Sequence, residues 1–522
     1  MGITIGLSIL PQRIDPLAWQ KVYEESLKLL LHYPFASLKT INKEGFELAV
    51  YSSQVEHCPD DFSKRHWSVC GDLKTKKASE SFCLYYDLRH YLNSTKNIKD
   101  STASEDIVTT LLHDQAGGTR DVFYSKTQGN PYHNYVLALA MLFETRLAPY
   151  VLAEGIITLG QAQKAKKWAD RILSEPLEIP VLLSPEKLQL RLEKTLHGLE
   201  LIKAMNRVWI GDRQILFNHC LDTFGQDLLE EWFIGELKEF ESANAVGTIN
   251  KMILWLNGTG DLEKLAVLSC KKEGGPLFSV RDFCEAVAAT WLTIPNEKYA
   301  FLKHFDLKAG QSETVETLLV DLVMKAGLAS QKMEYYLPLS EANKILLQVF
   351  PGERDAIINT LEQEHSYLEK LIRAQKKEMQ PLLHLVETKA VQEADYGDVD
   401  ELFLYYDENT SLDEAQDVLV HNIAALIQVA QDIHGLDELV EAAEKKGWKW
   451  IIYNAVELEK LIFTEDAWKW VDAEKDEQLL KILFTAVAIY KFSGMAANFG
   501  SFVRSLFENR EFALKVKGLI GQ

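Results

Sequence analysis

The chain has 522 residues, 47% of them hydrophobic and 25% charged, and a net charge of −20. That composition excludes a disordered polypeptide, and at ~100–200 residues per domain the length predicts more than one hydrophobic core. Such an excess of carboxylates repels nucleic acid and anionic lipid and attracts basic proteins, so neither direct nucleic-acid binding nor a membrane partner is expected.

The opening Met1-Gly2-Ile3-Thr4-Ile5-Gly6 lacks the basic start and apolar run of a signal peptide, and Gly6 stands where a myristoylation site needs Ser or Thr. Six cysteines are spread thinly with no CxxC pair, unlike a secreted disulfide framework. A reducing, cytoplasmic setting is the expectation.

Residues 1–113 predict a small α+β domain. Ile3–Ile9 is a short β-branched run, and Asp15-Pro16 offers a cap and first-turn proline for a helix carrying Trp19, Val22, Leu27, Leu30 and Leu31. Phe46–Tyr51, Trp67–Cys70 and Phe82–Tyr86 read as strands separated by polar turns. Within this domain His57, Cys58, His66 and Cys70 supply the donor types zinc takes, with Cys83 nearby, but not the spacing of a short zinc knuckle. His113-Asp114 is the dyad type of metal-dependent phosphohydrolases, yet it runs into Gly117-Gly118 and lacks an evident partner helix. No metal is favoured and no cofactor is expected.

Residues 114–131 read as a loop or linker, because Gly117-Gly118 and Gly129-Asn130-Pro131 bracket polar residues. Arg120, Asp121, Tyr124, Lys126 and His133 form a mixed polar set at this junction, the place to look first for a small-molecule pocket.

From Tyr132 the pattern is helical almost without interruption, predicting a helical domain over 132–390 and a second over 391–522. Thr158 with Gln161 makes a capping box, and Ser184-Pro185, Ser279, Ser312 and Ser340 each precede an apolar-periodic run. Stacked hairpins of solenoid type or a multi-helix bundle are expected, without a period regular enough to define a repeat. Glu362 and His365 share one helix face but have no second such pair, as a di-metal bundle would need. Trp448-Lys449-Trp450 and Trp468-Lys469-Trp470 predict one buried and one rim tryptophan per helix. Ile482–Tyr490 is too short to span a bilayer and predicts a buried helix.

The strongest signal is charge. Residues 390–444 carry fifteen carboxylates and no Lys or Arg, so this stretch supplies −15 of the net −20. Ordinary helix faces mix both signs to form i,i+4 pairs. Ser411 with Glu414 predicts the cap of a helix striped by Leu412, Ala415, Val418, Leu419, Ile423, Leu426, Ala430 and Ile433, ended by Gly435. The Asp407–Asp413 alternation fails as a calcium loop, since Leu412 and Val418 stand where Gly and Glu are required. Asp398, Asp400, Glu401, Asp407 and Glu408 surround Phe403, Tyr405 and Tyr406, a combination suited to anchoring a basic protein partner. No phosphate loop, dinucleotide fingerprint or nucleophile elbow is present. The expectation is a non-catalytic binding protein, such as an immunity or inhibitor protein facing a basic toxin, or a regulatory helical scaffold. A metal-dependent hydrolase at His113-Asp114 or the His57–Cys70 cluster is the alternative.

Overall fold

The computed structural model describes residues 3–92, 106–112, 118–298, 333–388, 399–431, 443, 445–493 and 497–520. The N-terminal part comprises β1 (Thr4–Ile9), α1 (Pro16–Leu31), β2 (Phe35–Lys43), β3 (Phe46–Ser52), β4 (Glu56–His57), β5 (His66–Asp72), β6 (Ala78–Tyr85), α2 (Ile107–Leu112), β7 (Arg120–Lys126), α3 (His133–Leu147), β8 (Val151–Gly155) and α4 (Leu159–Ala169). The middle follows as α5 (Pro185–Leu192), α6 (Gly198–Val208), α7 (Arg213–Phe224), α8 (Gln226–Leu237), α9 (Val246–Thr259), α10 (Leu262–Cys270), α11 (Val280–Ala289), α12 (Leu339–Val349) and α13 (Arg354–Thr388). The C-terminal part holds α14 (Val399–Leu404), α15 (Glu414–Gln431), α16 (Trp448–Glu459), β9 (Phe463–Thr464), α17 (Glu465–Ala473), α18 (Glu477–Ser493), α19 (Ala497–Glu508) and α20 (Arg510–Leu519). The fold is thus an N-terminal α+β region followed by a long, mainly helical array. No described helix is long and apolar enough to cross a membrane.

Local signals explain much of this. The Asp15 carboxylate accepts from Leu17 N, with Pro16 in the first turn, and Thr158 and Gln161 complete their capping box. The Ser279 side chain accepts from Asp282 N. Glu44 and Gly45 both have positive φ, the geometry of a two-residue turn that matches strand twist, and they close the β2–β3 hairpin. Ser184 and Ser340 do not cap: the Ser184 side chain makes no cap bond, and α12 begins at Leu339 after Pro338. Ser312 lies outside the described residues.

The reading of 114–131 as a linker is corrected at its centre. Arg120–Lys126 is strand β7, paired antiparallel with β1, which pairs on its other side with β8. A bulge between Leu7 and Ser8 shifts the β1–β7 register. The second sheet runs β4-β5-β2-β3-β9, with β6 also on β5.

Three cores result. The first combines Ile5, Leu7 and Ile9 of β1 with Trp19 and Tyr23 of α1, Trp67 of β5, Phe82 of β6 and the wholly apolar middle of α3. It extends to Leu183, so apolar residues on both sides of 114–131 share it. The second core gathers α5 to α13, where most helices pack on the next or the next but one, and it takes in Leu10, Val108 and Leu152. Arg191 clamps these two cores together. Its Nε and Nη2 reach the Asp106 carboxylate at 2.7 and 2.6 Å, and Nη2 donates to the Pro149 carbonyl at 2.8 Å.

The third core, α14 to α20, folds back onto the first sheet region. Leu48 and Val50 of β3 are buried in it, and β9 pairs parallel to β3 through Val50 with Phe463 and Tyr51 with Thr464. Ion pairs of Lys43 with Asp472, Lys39 with Glu465 and Lys76 with Glu508 line this junction.

Candidate functional site

The described part of the acidic region begins at α14. Phe403 is not an exposed anchor: it is 3% exposed and stacks on Phe512 with centroids 4.6 Å apart. Asn509 fixes this turn, its Nδ2 donating to the carbonyls of Phe403 (3.0 Å), Leu404 (3.2 Å) and Tyr406 (2.8 Å). Tyr406 meets the Phe512 ring edge-on. Tyr405 is exposed, yet its hydroxyl donates to the Lys74 carbonyl at 2.8 Å and Lys76 lies over its ring. Asp407 is committed to its own turn, accepting from Asn409 N and Thr410 Oγ1. Glu408 projects into solvent. Asp398 lies outside the described residues, as do the side chains of Asp400 and Glu401.

The helix predicted after Ser411 is present, with a different cap. Asp413 Oδ1 accepts from Gln416 N at 2.8 Å while Gln416 Oε1 accepts from Asp413 N at 2.9 Å, a reciprocal box. Ser411 lies two residues too early to cap a helix that starts at Glu414. Of the predicted stripe, Ile423 enters the third core and Leu412 packs against it, whereas Val418, Leu419 and Leu426 do not. Val420, Ile423, Ala424 and Ile427 turn into the third core. Val418 (53% exposed), Leu419 (40%), Leu426 (38%) and Val429 (59%) face outward. Gly435 lies outside the described residues. Among those residues, one cation of the Lys/Arg type comes within ion-pair distance of the acids from 407 to 417: Lys515, 3.7 Å from Asp417. The His421 ring sits 3.4 Å from the same carboxylate.

The polar set at the 114–131 junction does not converge as a whole. Lys126 is drawn to Glu80, through its amide at 2.8 Å and its ammonium at 3.6 Å. Arg120 donates to the Thr119 carbonyl at 3.2 Å. His133 is buried at the head of α3, its Nδ1 2.6 Å from Thr127 Oγ1, and burial pulls its pKa down to about 4, so it is neutral.

Asp121 and Tyr124 do come together, with two residues the sequence did not single out. On the outer face of β1, the Ser8 hydroxyl lies 2.9 Å from Asp121 Oδ1 and in contact with Glu154 Oε1. Gly6 leaves room beside them, since a Cβ there would meet Tyr124 Cδ2 at 2.6 Å and Glu154 Cγ at 2.8 Å. A hydroxyl has one proton to give, so satisfying both contacts requires a proton on one carboxyl group. Burial pushes the Glu154 carboxyl upward, the Asp121 charge adds to it, and the Ser8 bond opposes, so Glu154 takes up a proton more readily than an ordinary glutamate. The alternation of Thr4, Gly6 and Ser8 against Ile5, Leu7 and Ile9 was the available sign that β1 has a polar outer face.

The histidines and cysteines proposed for zinc do not assemble. His57 and His66 stack at 5.0 Å, Cys58 is exposed, and Cys70 is buried with its thiol donating to the Ala36 carbonyl. Burial pushes the Cys70 thiol up to about 12, away from the thiolate zinc requires. Among the described residues no three His, Cys, Asp or Glu side chains are placed to hold a metal ion. His113 and Asp114 lie outside the described residues. His365 is turned to Thr293 Oγ1 at 2.9 Å, whereas Glu362 lines an open groove with Tyr367 and Lys370. Trp468 is fully buried, Trp470 donates to the Phe507 carbonyl at 2.7 Å, and Trp450 packs on Phe46 of the β2–β3 hairpin. The chain matches no family model, no curated protein and no solved structure.

Proposed function

We propose that this protein is a non-catalytic binding protein whose acidic C-terminal region engages a basic protein. One observation carries the reading. Across the described acids from 407 to 417, charge is largely uncompensated at the surface, with Lys515 the single Lys or Arg among the described residues in ion-pair range. A solvated face in an ordinary helical protein interleaves both signs, whereas this one concentrates a single sign beside exposed aliphatic side chains. Such a field raises the encounter rate with a cationic surface and selects against anionic ones. Glu408 and Glu414 face solvent, while Asp407 and Asp413 already serve the local backbone.

An immunity or inhibitor protein against a basic toxin fits this chemistry, as does a regulatory scaffold for a basic client. Affinity capture from the native host, eluted along a salt gradient, tests the reading. Release of one basic protein at moderate salt, held less firmly by Glu408→Gln/Glu414→Gln, is the expected result. A bait that retains nothing basic would contradict it.

A further inference from the structure

We propose that the outer face of α15 docks a basic amphipathic helix of the protein partner, an inference that rests on the acidic-surface reading above and narrows it. α15 is apolar on two opposite sides. Val420, Ile423, Ala424 and Ile427 hold it in the third core, where it packs on α18 and α20. Val418, Leu419, Leu426 and Val429, with Ala425 between them, remain in solvent. These positions recur at seven- and eleven-residue intervals, so they form two adjacent rows along one face. From Val418 to Val429 the rows run about 16 Å, roughly three turns of a partner helix. Exposed aliphatic side chains grouped on one helix face, here with the exposed Asn422 among them, point to an interaction site.

Charge selects the occupant. Glu414 lies at the N-terminal edge of the face and Glu408 six residues before it in the chain, both exposed, while the charge of Asp417 to one side is partly offset by Lys515. A second copy of this face would set acids against acids, and an acidic helix or nucleic acid would be repelled. A helix with aliphatic residues at i, i+3/i+4 and i+7, flanked by Lys or Arg, satisfies both the rows and their rim.

The test uses the full chain and a defined probe. The probe is a fluorescein-labelled peptide of about 18 residues, built from Leu and Lys in an amphipathic helical pattern. A scrambled peptide of identical composition is the control. Fluorescence anisotropy should show the amphipathic peptide binding at least about tenfold tighter than the scrambled one. Val418→Ser/Leu426→Ser/Val429→Ser should abolish that preference without lowering the melting temperature, because these side chains are outside the core. Equal binding of both peptides to the wild type, or an intact preference in the triple variant, would overturn the proposal. A triple variant that melts several degrees lower would show that part of this chain covers the face, and a wild-type dimer broken by the triple variant would show a second copy there. Either result rejects the proposal. Glu408→Gln/Glu414→Gln should keep the preference but weaken binding and flatten its salt dependence. An unchanged salt dependence beside an intact preference would sink the acidic-surface reading alone and leave the apolar face standing.

Discussion

At the scale of single residues, a buried and a half-buried carboxyl group do different work. Glu144 of α3 is buried and accepts from Ala153 N at 2.9 Å and Val181 N at 2.7 Å, tying the central helix to β8 and to the chain entering the helical array. Glu144→Ala strands two backbone donors and should cost about 2–5 kcal/mol in chemical denaturation. Glu144→Gln keeps one acceptor and should cost less; equal loss in both variants would show that cavity formation dominates. Glu154 instead shares its environment with Asp121 and Ser8, and burial raises its pKa above the unfolded value. A group raised in the folded state stabilises most fully below its unfolded pKa and loses that contribution as pH rises through the folded one. Glu154→Gln, which mimics the protonated form, should therefore gain stability relative to wild type as pH rises above the unfolded carboxyl value of about 4. Thermal melts across that range check it, and a difference that stays flat with pH would contradict the shared proton. Neither group was legible in the sequence, because their partners lie 9 to 146 residues away along the chain. The caps at Asp15, Thr158 and Ser279 were legible because each acts within three residues.

Among elements, legibility followed exposure pattern. β1, β3, β5 and β6 carry the β-branched and aromatic runs that identify strands. β8 escaped because Val151, Leu152 and Ala153 are all fully buried; a short strand covered on both faces has no alternation and reads like a piece of buried helix. β7 escaped because the flanking Gly117-Gly118 and Gly129-Asn130-Pro131 spell a linker. α15 was foreseen as a helix but with one apolar stripe where there are two, since periodicity alone cannot say which side meets the core. Its cap gives a prediction at this scale. Asp413→Ala should cost about 1 kcal/mol and lower helicity near α15, whereas Ser411→Ala should be close to neutral. Thermal denaturation of the two variants distinguishes them, and a larger loss for Ser411→Ala would reassign the cap.

For the whole molecule, the α+β-then-helical order was readable from composition and period, but the return of the C-terminal helices onto β3 was not. It depends on a parallel pairing of only two residues per strand across more than 400 positions of sequence and on charge pairs such as Lys76 with Glu508. Deleting everything after residue 398 would expose Leu48 and Val50 and open the edge of β3. Unpaired apolar edges promote association, so the truncated chain should aggregate or elute as oligomers in size-exclusion chromatography. A monomeric truncation with an unshifted first melting transition would show that the third core only leans on the first. The same docking holds Tyr405, the residue after α14, against the Lys74–Lys76 turn.

The most direct measurement of the central claim is the ionic-strength dependence of the association rate between this protein and a basic protein recovered by affinity capture, for wild type and for Glu408→Gln/Glu414→Gln. Charge-guided encounter predicts a rate that falls steeply with salt in the wild type, and a slower and flatter dependence in the variant, with dissociation little changed. Identical rates and slopes for the two proteins would contradict it, and would leave these acids as a solvated face with no part in binding.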